Sequence, residues 1–201
     1  TEDAFATTTA MALPNDADSG IPFNDFTRGQ AGYDLVLEVD PTNDNILYAG
    51  GIDLFRSSDN GTTWIQMSKW SNNNLLRNKN IPLVHADQHV LVFHPTDSDK
   101  AIIGNDGGVF FASSLSEAVQ STIPNNSIEA RNKDYNIMQF YNGAIAQDIT
   151  SDVIIAGSQD NGTQFIDGAI KAPSNPGVKV FGGDGAYTFI DKDGEYMIVS
   201  Y

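Results

Sequence analysis

The stretch Phe55–Met67 reads "FRSSDNGTTWIQM". Its centre, Asp59-Asn60-Gly61, is turn chemistry: Asp accepts hydrogen bonds from nearby backbone N–H groups, and Gly adopts positive φ at no steric cost. Its flanks are short β-prone runs. Ser57, Asp59, Gly61, Thr63 and Trp64 together suit a hairpin whose loop is tied by its own side chains, with the Trp64 ring packed beneath it. A catalytic role for Ser57 or Asp59 would explain one residue each. The turn explains all five.

Working outward, the same rhythm recurs. "LVLEVDPTNDNILYAGGIDLFRSS" from Leu35, "HVLVFHPTDSDKAIIGNDGGVFFASS" from His89 and "NGAIAQDITSDVIIAGSQDNGTQFI" from Asn142 each read as apolar run, polar turn, apolar run ending in Gly, turn, apolar run. The turn landmarks Asp40, His94 and Asp148 are 54 residues apart, and Gly50, Gly104 and Gly157 keep step with them. A fourth copy opens at "AYTFIDKDGEYMIVSY", with Asp191 at the landmark. Four short antiparallel strands in about 40–50 residues is the period of a β-propeller blade. In the first copy the strands fall at Leu35–Asp40, Ile46–Ala49, Leu54–Ser57 and Thr63–Met67. The expected architecture is all-β: a partial β-propeller of three to four four-stranded antiparallel blades. An irregular lead-in covers residues 1–30, and the blades span about 33–70, 85–123, 139–181 and 185–201, the last incomplete. Ser114–Ser121 is expected to form one or two helical turns. Incomplete closure would leave blade edges exposed and favour self-association.

Composition narrows the function classes. The net charge of −15 repels nucleic-acid phosphates and anionic membrane surfaces. The chain has no cysteine, which excludes disulfides and thiol chemistry. No apolar run approaches the ~20 residues of a membrane helix. No leader peptide is visible, and "GEYMIVSY" stops inside an apolar run, which reads as a piece of a longer protein.

Several residues could carry chemistry. Seven positions before the turn landmarks stand Tyr33, Asp87, Tyr141 and Asp184, leading into the first strand of each copy. In a propeller those loops lie near the central channel. "HADQH" gives His85, Asp87 and His89 at alternate positions, which on a strand would share a face and could hold a transition metal. The plainer reading has them bonding loops, and His94 belongs to its turn. Asp106 and Asp160 occupy similar places in the loops "GNDGG" and "GSQDNG", where carboxylate oxygens suit calcium, although tight turns explain them equally well.

The window Ser57-x-Asp59-x-Gly61-x-Thr63-Trp64 matches the Asp-box pattern. With "HADQHVLVFHP", "GNDGGVFFASS", "RNKDYNIMQFY", "GSQDNGTQ" and "GGDGAYTFID", it makes the chain, from about Thr27 onward, resemble the Asp-box (BNR-repeat) propeller proteins exported by Gram-negative bacteria. Broader relatives are sialidases, xyloglucan-degrading propellers and the sortilin ectodomain. The nearest likeness is to large secreted proteins that carry a C-terminal sorting domain. The resemblance implies a secreted or cell-surface module that binds glycans or extracellular proteins; the binding candidates read from the residues are His85, His89, Asp106, Asp160, Tyr33 and Tyr141. The alternative it implies is a glycoside hydrolase with paired carboxylates, for which Asp87 and Asp184 are the candidates. Sialidase chemistry would need an arginine triad, and Arg28, Arg56, Arg77 and Arg131 do not supply one. No nucleophile-elbow signature supports a Ser-His-Asp hydrolase.

Overall fold

The computed structural model describes residues 6–133, 135, 138–148, 152–168 and 177–200. The chain divides into two compact units, Thr1–Lys133 and Asp134–Tyr201. Each described unit is built from antiparallel sheets whose strands follow chain order.

In the first unit, β1 (Val36–Val39), β2 (Leu47–Gly50), β3 (Leu54–Ser57) and β4 (Ile65–Gln66) form one four-stranded sheet. β5 (Gln88–His94), β6 (Asp97–Asn105), β7 (Gly108–Ala112) and β8 (Ile128–Ala130) form a second. In the second unit, β9 (Asn142–Ile145), β10 (Ile154–Ser158), β11 (Gly162–Ile166) and β12 (Val178–Phe181) make a third sheet, and β13 (Thr188–Ile190) pairs with β14 (Met197–Val199). Four strands in up-and-down order are the blade of a propeller, and the chain is an all-β partial β-propeller. Among the described residues, no helix is long and apolar enough to cross a membrane.

The repeated glycines lie at the last or next-to-last position of the second strand of each four-stranded sheet. Gly50 pairs with Val36, Gly104 with Val90 and Gly157 with Asn142. Two of them also mark where the next sheet arrives. The Gln88 N–H donates to the Gly51 carbonyl at 2.9 Å, and in the second unit the Gly185 N–H donates to the Ser158 carbonyl at 3.0 Å. These are the same register positions in two repeats, so one sheet-to-sheet joint is built twice. A Cβ on Gly50 would lie 2.9 Å from the Gln88 Cβ, and a Cβ on Gly157 would lie 2.5 Å from the Ala186 carbonyl oxygen.

The core of the first unit lies between its two sheets. Val36, Tyr48, Leu54 and Met67 from one side meet Leu91, Ile103, Phe110 and Ile128 from the other. The Tyr48 ring meets Phe93 edge-on at 5.6 Å. In the second unit, buried Ile155, Ala156 and Ile190 do the same work, and the Thr188 hydroxyl donates to the Ile155 carbonyl at 3.1 Å.

The Asp59 loop closes as its residue types demand. Asp59 accepts from the Thr63 N–H at 2.8 Å, the Thr63 hydroxyl at 2.7 Å and the Ser57 hydroxyl at 2.8 Å. The Gly61 N–H donates to Ser57 Oγ at 2.9 Å, and Gly61 has φ +76°. Trp64 differs from expectation. It is half-buried, and its indole N–H donates at 2.8 Å to the Ala12 carbonyl of the lead-in. The Ala12 N–H in turn donates to the Gly61 carbonyl at 3.0 Å. The tryptophan therefore fastens the lead-in to the loop. Ser57 is buried at the hub of this network. Ser57→Ala leaves the buried Gly61 N–H without its acceptor, and the expected loss is about 1–3 kcal/mol. Thermal unfolding would read this as a melting point lower by several degrees.

Two local expectations are corrected. Ser114–Ser121 forms turns and bends, not helix. The reason is Asp99, whose carboxylate accepts from the Ser116 N–H at 2.7 Å and the Ser114 hydroxyl at 2.6 Å, while its carbonyl accepts from the Leu115 N–H at 2.7 Å. Those bonds draw the backbone away from helical pairing and drop Leu115 and Ala118 into the core. The loop also postpones the fourth strand of the second sheet to Ile128–Ala130, beyond the expected end of that blade at residue 123. The one short helix described is a 3-10 segment at Asn74–Asn78.

Candidate functional site

In the first unit the loops that lead into β1 and β5 and the turn between β6 and β7 bring six of the chain's polar side chains together. Tyr33 and Asp34 stand just before β1, His85 and Asp87 before β5, His89 on β5, and Asp106 in the turn. Asp106 is the hub. Its carboxylate accepts the Tyr33 hydroxyl at 2.9 and 3.0 Å and lies 2.5 Å from His89 Nε2. The Tyr33 and His89 rings meet edge-on at 5.0 Å. Asn132 steadies the turn that carries Asp106. It accepts from the Val109 N–H at 2.8 Å and donates to the Gly107 carbonyl at 2.8 Å.

The expected alternation of His85, Asp87 and His89 on one strand face does not form. Only His89 lies on β5, because Asp87 takes φ +65°, a left-handed conformation that breaks the strand period. His85 packs instead on Gly107, where an added Cβ would sit 2.3 Å from the His85 ring carbon Cγ. His94 ends β5, and its Nδ1 accepts from the Thr96 N–H at 3.3 Å, as Asp40 accepts from the Thr42 N–H at 2.8 Å. Both bond the backbone two residues on and so hold their turns.

Asp87 is nearly buried, and its carboxyl is raised above the ordinary range by burial first and by the charge of Asp106 second. Asp34, absent from the sequence-derived candidates, is the most perturbed member of this cluster. It is fully buried, no hydrogen-bond partner reaches either carboxylate oxygen, and its pKa is raised to about 6 by burial and then by the charge of Asp87. A sequence signal for it exists. Counting one position past Tyr33, Asp87, Tyr141 and Asp184 gives Asp34, Gln88, Asn142 and Gly185. Gln88 and Asn142 carry amides there. The Gln88 amide donates to the Ile52 carbonyl at 3.1 Å, and the Asn142 carbonyl oxygen accepts from the Thr188 N–H at 3.0 Å. The first repeat alone places a carboxylate at this joint.

The second unit holds Tyr141, Asp160 and Asp184. The Tyr141 hydroxyl bonds Gln159, and Tyr141 is largely exposed. The Asp184 carboxylate accepts from the Asp160 N–H at 3.1 Å, so it holds the turn between β10 and β11, in which Asp160 takes φ +58°. Asp87 and Asp184 thus belong to different units, and Asp184 has a turn to hold.

No protein-family profile matches the sequence, and no curated protein matches it. Among solved structures, the chain is similar to an ancestral GH74 enzyme at 15% identity, over 82% of this chain and 21% of that one, with a TM-score of 0.30. The chain spans about a fifth of that enzyme's length.

Proposed function

We propose that this chain belongs to a secreted or cell-surface propeller module that binds glycans through the Tyr33–Asp106–His89 cluster. The observation that carries the reading is one carboxylate orienting two rings that remain open to solvent, with Tyr33 57% exposed. Sugars present apolar C–H faces to aromatic rings and paired hydroxyls to carboxylates, and this cluster offers both beside each other. Acidic net charge suits neutral or cationic glycans and not sulfated or uronic-acid polymers. An extracellular protein ligand is the other outcome of a binding screen.

A second reading, glycoside hydrolysis, is favoured by the burial of Asp87 beside the Asp106 carboxylate, which raises its carboxyl above the ordinary range, the direction a general acid needs. Asp184, its expected companion, spends a carboxylate oxygen on the Asp160 N–H. A polysaccharide panel incubated with the protein and assayed for new reducing ends separates the readings. Binding without release supports the module. Release that disappears in Asp87→Asn supports the hydrolase.

A further inference from the structure

On the reading of Tyr33, Asp106 and His89 as a recognition cluster, we infer that Arg28 is its positioning residue: the grip of Arg28 on Asp16 and Asp18 holds the loop that presents Tyr33 to Asp106. The lead-in is thereby part of the site's scaffold.

From Asp25 to Asp34 the chain is a run of turns, each tied to the next. Asp25 accepts from the Arg28 N–H at 3.1 Å with its carbonyl and from the Gly29 N–H at 2.9 Å with its carboxylate. The Gln30 N–H donates to the Thr27 carbonyl at 2.9 Å, and the Gln30 carbonyl accepts both the Tyr33 N–H at 2.7 Å and the Asp34 N–H at 3.1 Å. Arg28 and Gly29 take φ +51° and +81°. Glycine adopts that conformation freely, but a residue with a side chain adopts it only where its surroundings hold it. For Arg28 the hold is its guanidinium. Nε and Nη2 donate to Asp16 Oδ2 at 3.0 and 2.7 Å, and Nη1 lies 3.3 Å from the Asp18 carboxylate. Its carbon stands 5.7 Å from the centre of the Trp70 ring. Asp16 is buried, so this pair is screened less than a surface ion pair.

The far end of the loop pulls the other way. Asp34 follows Tyr33 directly, is fully buried, and has no hydrogen-bond partner at either carboxylate oxygen among the described residues. The charged groups acting on it are the anions Asp87 and Asp106 and the imidazole of His89. A buried anion without donors favours any motion that returns it to water. Tyr33 therefore stands between a load at Asp34 and a grip at Arg28. Packing does little to fix it, because its side chain is more exposed than buried. β1 begins only at Val36, so ladder bonds do not reach it. Releasing Arg28 lets the loop lift, takes Asp34 toward water and draws the Tyr33 hydroxyl off Asp106.

The test is residue-resolved amide exchange on the full chain at pH 7.5, with no glycan present, so that its outcome is separate from whether the cluster binds a sugar. In Arg28→Ala the amides of Tyr33 and Asp34 should exchange about tenfold faster than in the parent, or more, while Tyr48 and Phe55 in β2 and β3 stay within about twofold. Asp16→Asn should move the same two amides in the same direction, although it leaves the Arg28 charge beside the cluster. Arg28→Lys, which keeps the charge and loses the planar fork, should resemble Arg28→Ala and serves if that variant does not fold. Adding Asp34→Asn to the released variant removes the load and should restore most of the protection at Tyr33. The imidazole N–H signal of His89 should shift in Arg28→Lys and Asp16→Asn as Asp106 loses its tyrosine partner, and return toward the parent position when Asp34→Asn is added. Parental exchange at Tyr33 and Asp34 in both Arg28→Lys and Asp16→Asn would overturn the assignment. So would equal acceleration at Tyr48 and Phe55, which would make Arg28 a residue of general stability, or no recovery on adding Asp34→Asn.

Discussion

Asp34→Asn should stabilise the chain at pH 7.5 and leave it unchanged at pH 4. The sign follows from linkage. The folded pKa of Asp34 is about 6, against an ordinary value of 3.8. The folded state therefore holds its proton more tightly than the unfolded state. No penalty exists below pH ~4, where both states are protonated. It grows as pH rises from about 4 to 6 and is full above that. A shift of this size corresponds to a ceiling of about 3 kcal/mol, and screening by nearby solvent reduces the expected gain to about 1–2 kcal/mol. Asparagine removes the charge and keeps nearly the same side-chain volume. Equilibrium urea denaturation of both proteins across pH 4–8 checks the prediction. The parent should lose stability relative to the variant through that window, and parallel curves would refute it.

Gly157→Ala should cost the second unit at least about 2–3 kcal/mol, more than Gly50→Ala costs the first. Both glycines sit where the next sheet joins. At Gly157 a new Cβ would lie 2.5 Å from the Ala186 carbonyl oxygen and 2.8 Å from its nitrogen, backbone atoms of the residue next to Gly185, whose N–H bonds the Ser158 carbonyl. At Gly50 the nearest atoms are side-chain carbons of Gln88 and Val36, at 2.9 and 3.2 Å. Those Cβ atoms also move only with their backbones, but the overlap is a few tenths of an ångström smaller than at Gly157 and meets carbon instead of main-chain oxygen and nitrogen. Hydrogen exchange would show it directly. Amides of β13 should lose protection in Gly157→Ala, while β10 and β11, which pair with each other, should lose less. Equal protection across the unit would mean that the joint is not the weak point.

These two sites also show what the sequence makes legible. Gly157 and Gly50 announced themselves because a repeat puts the same residue at the same joint. The Asp59 loop was readable because its bonds span four residues or fewer. Strands β1 to β3 followed from apolar runs and turn chemistry for the same local reason. Asp34 was not readable as a perturbed acid. Its state depends on Asp87 and Asp106, which come from another sheet, and on the absence of donors, which only packing reveals. Trp64 was expected under its own hairpin, but its indole found the Ala12 carbonyl in a segment with no periodic pattern to place it. Ser114–Ser121 carried a weak helical pattern that Asp99 overrode from the neighbouring strand. Asp184 was marked by register as a candidate acid; the same register placed it where a turn N–H needed an acceptor.

The proposed recognition surface is the Tyr33–Asp106–His89 cluster of the first unit and not Tyr141 of the second. The most direct measurement is a glycan array probed with the full chain, followed by calorimetric titration of the strongest hit into the parent, Tyr33→Ala, His89→Ala and Tyr141→Ala. Loss of one ring contact is worth on the order of 1.4 kcal/mol, a tenfold change in affinity. Binding about tenfold weaker, or more, is expected for Tyr33→Ala and His89→Ala, with Tyr141→Ala close to the parent. An array hit bound equally well by Tyr33→Ala and His89→Ala, or no glycan bound at all, would contradict it.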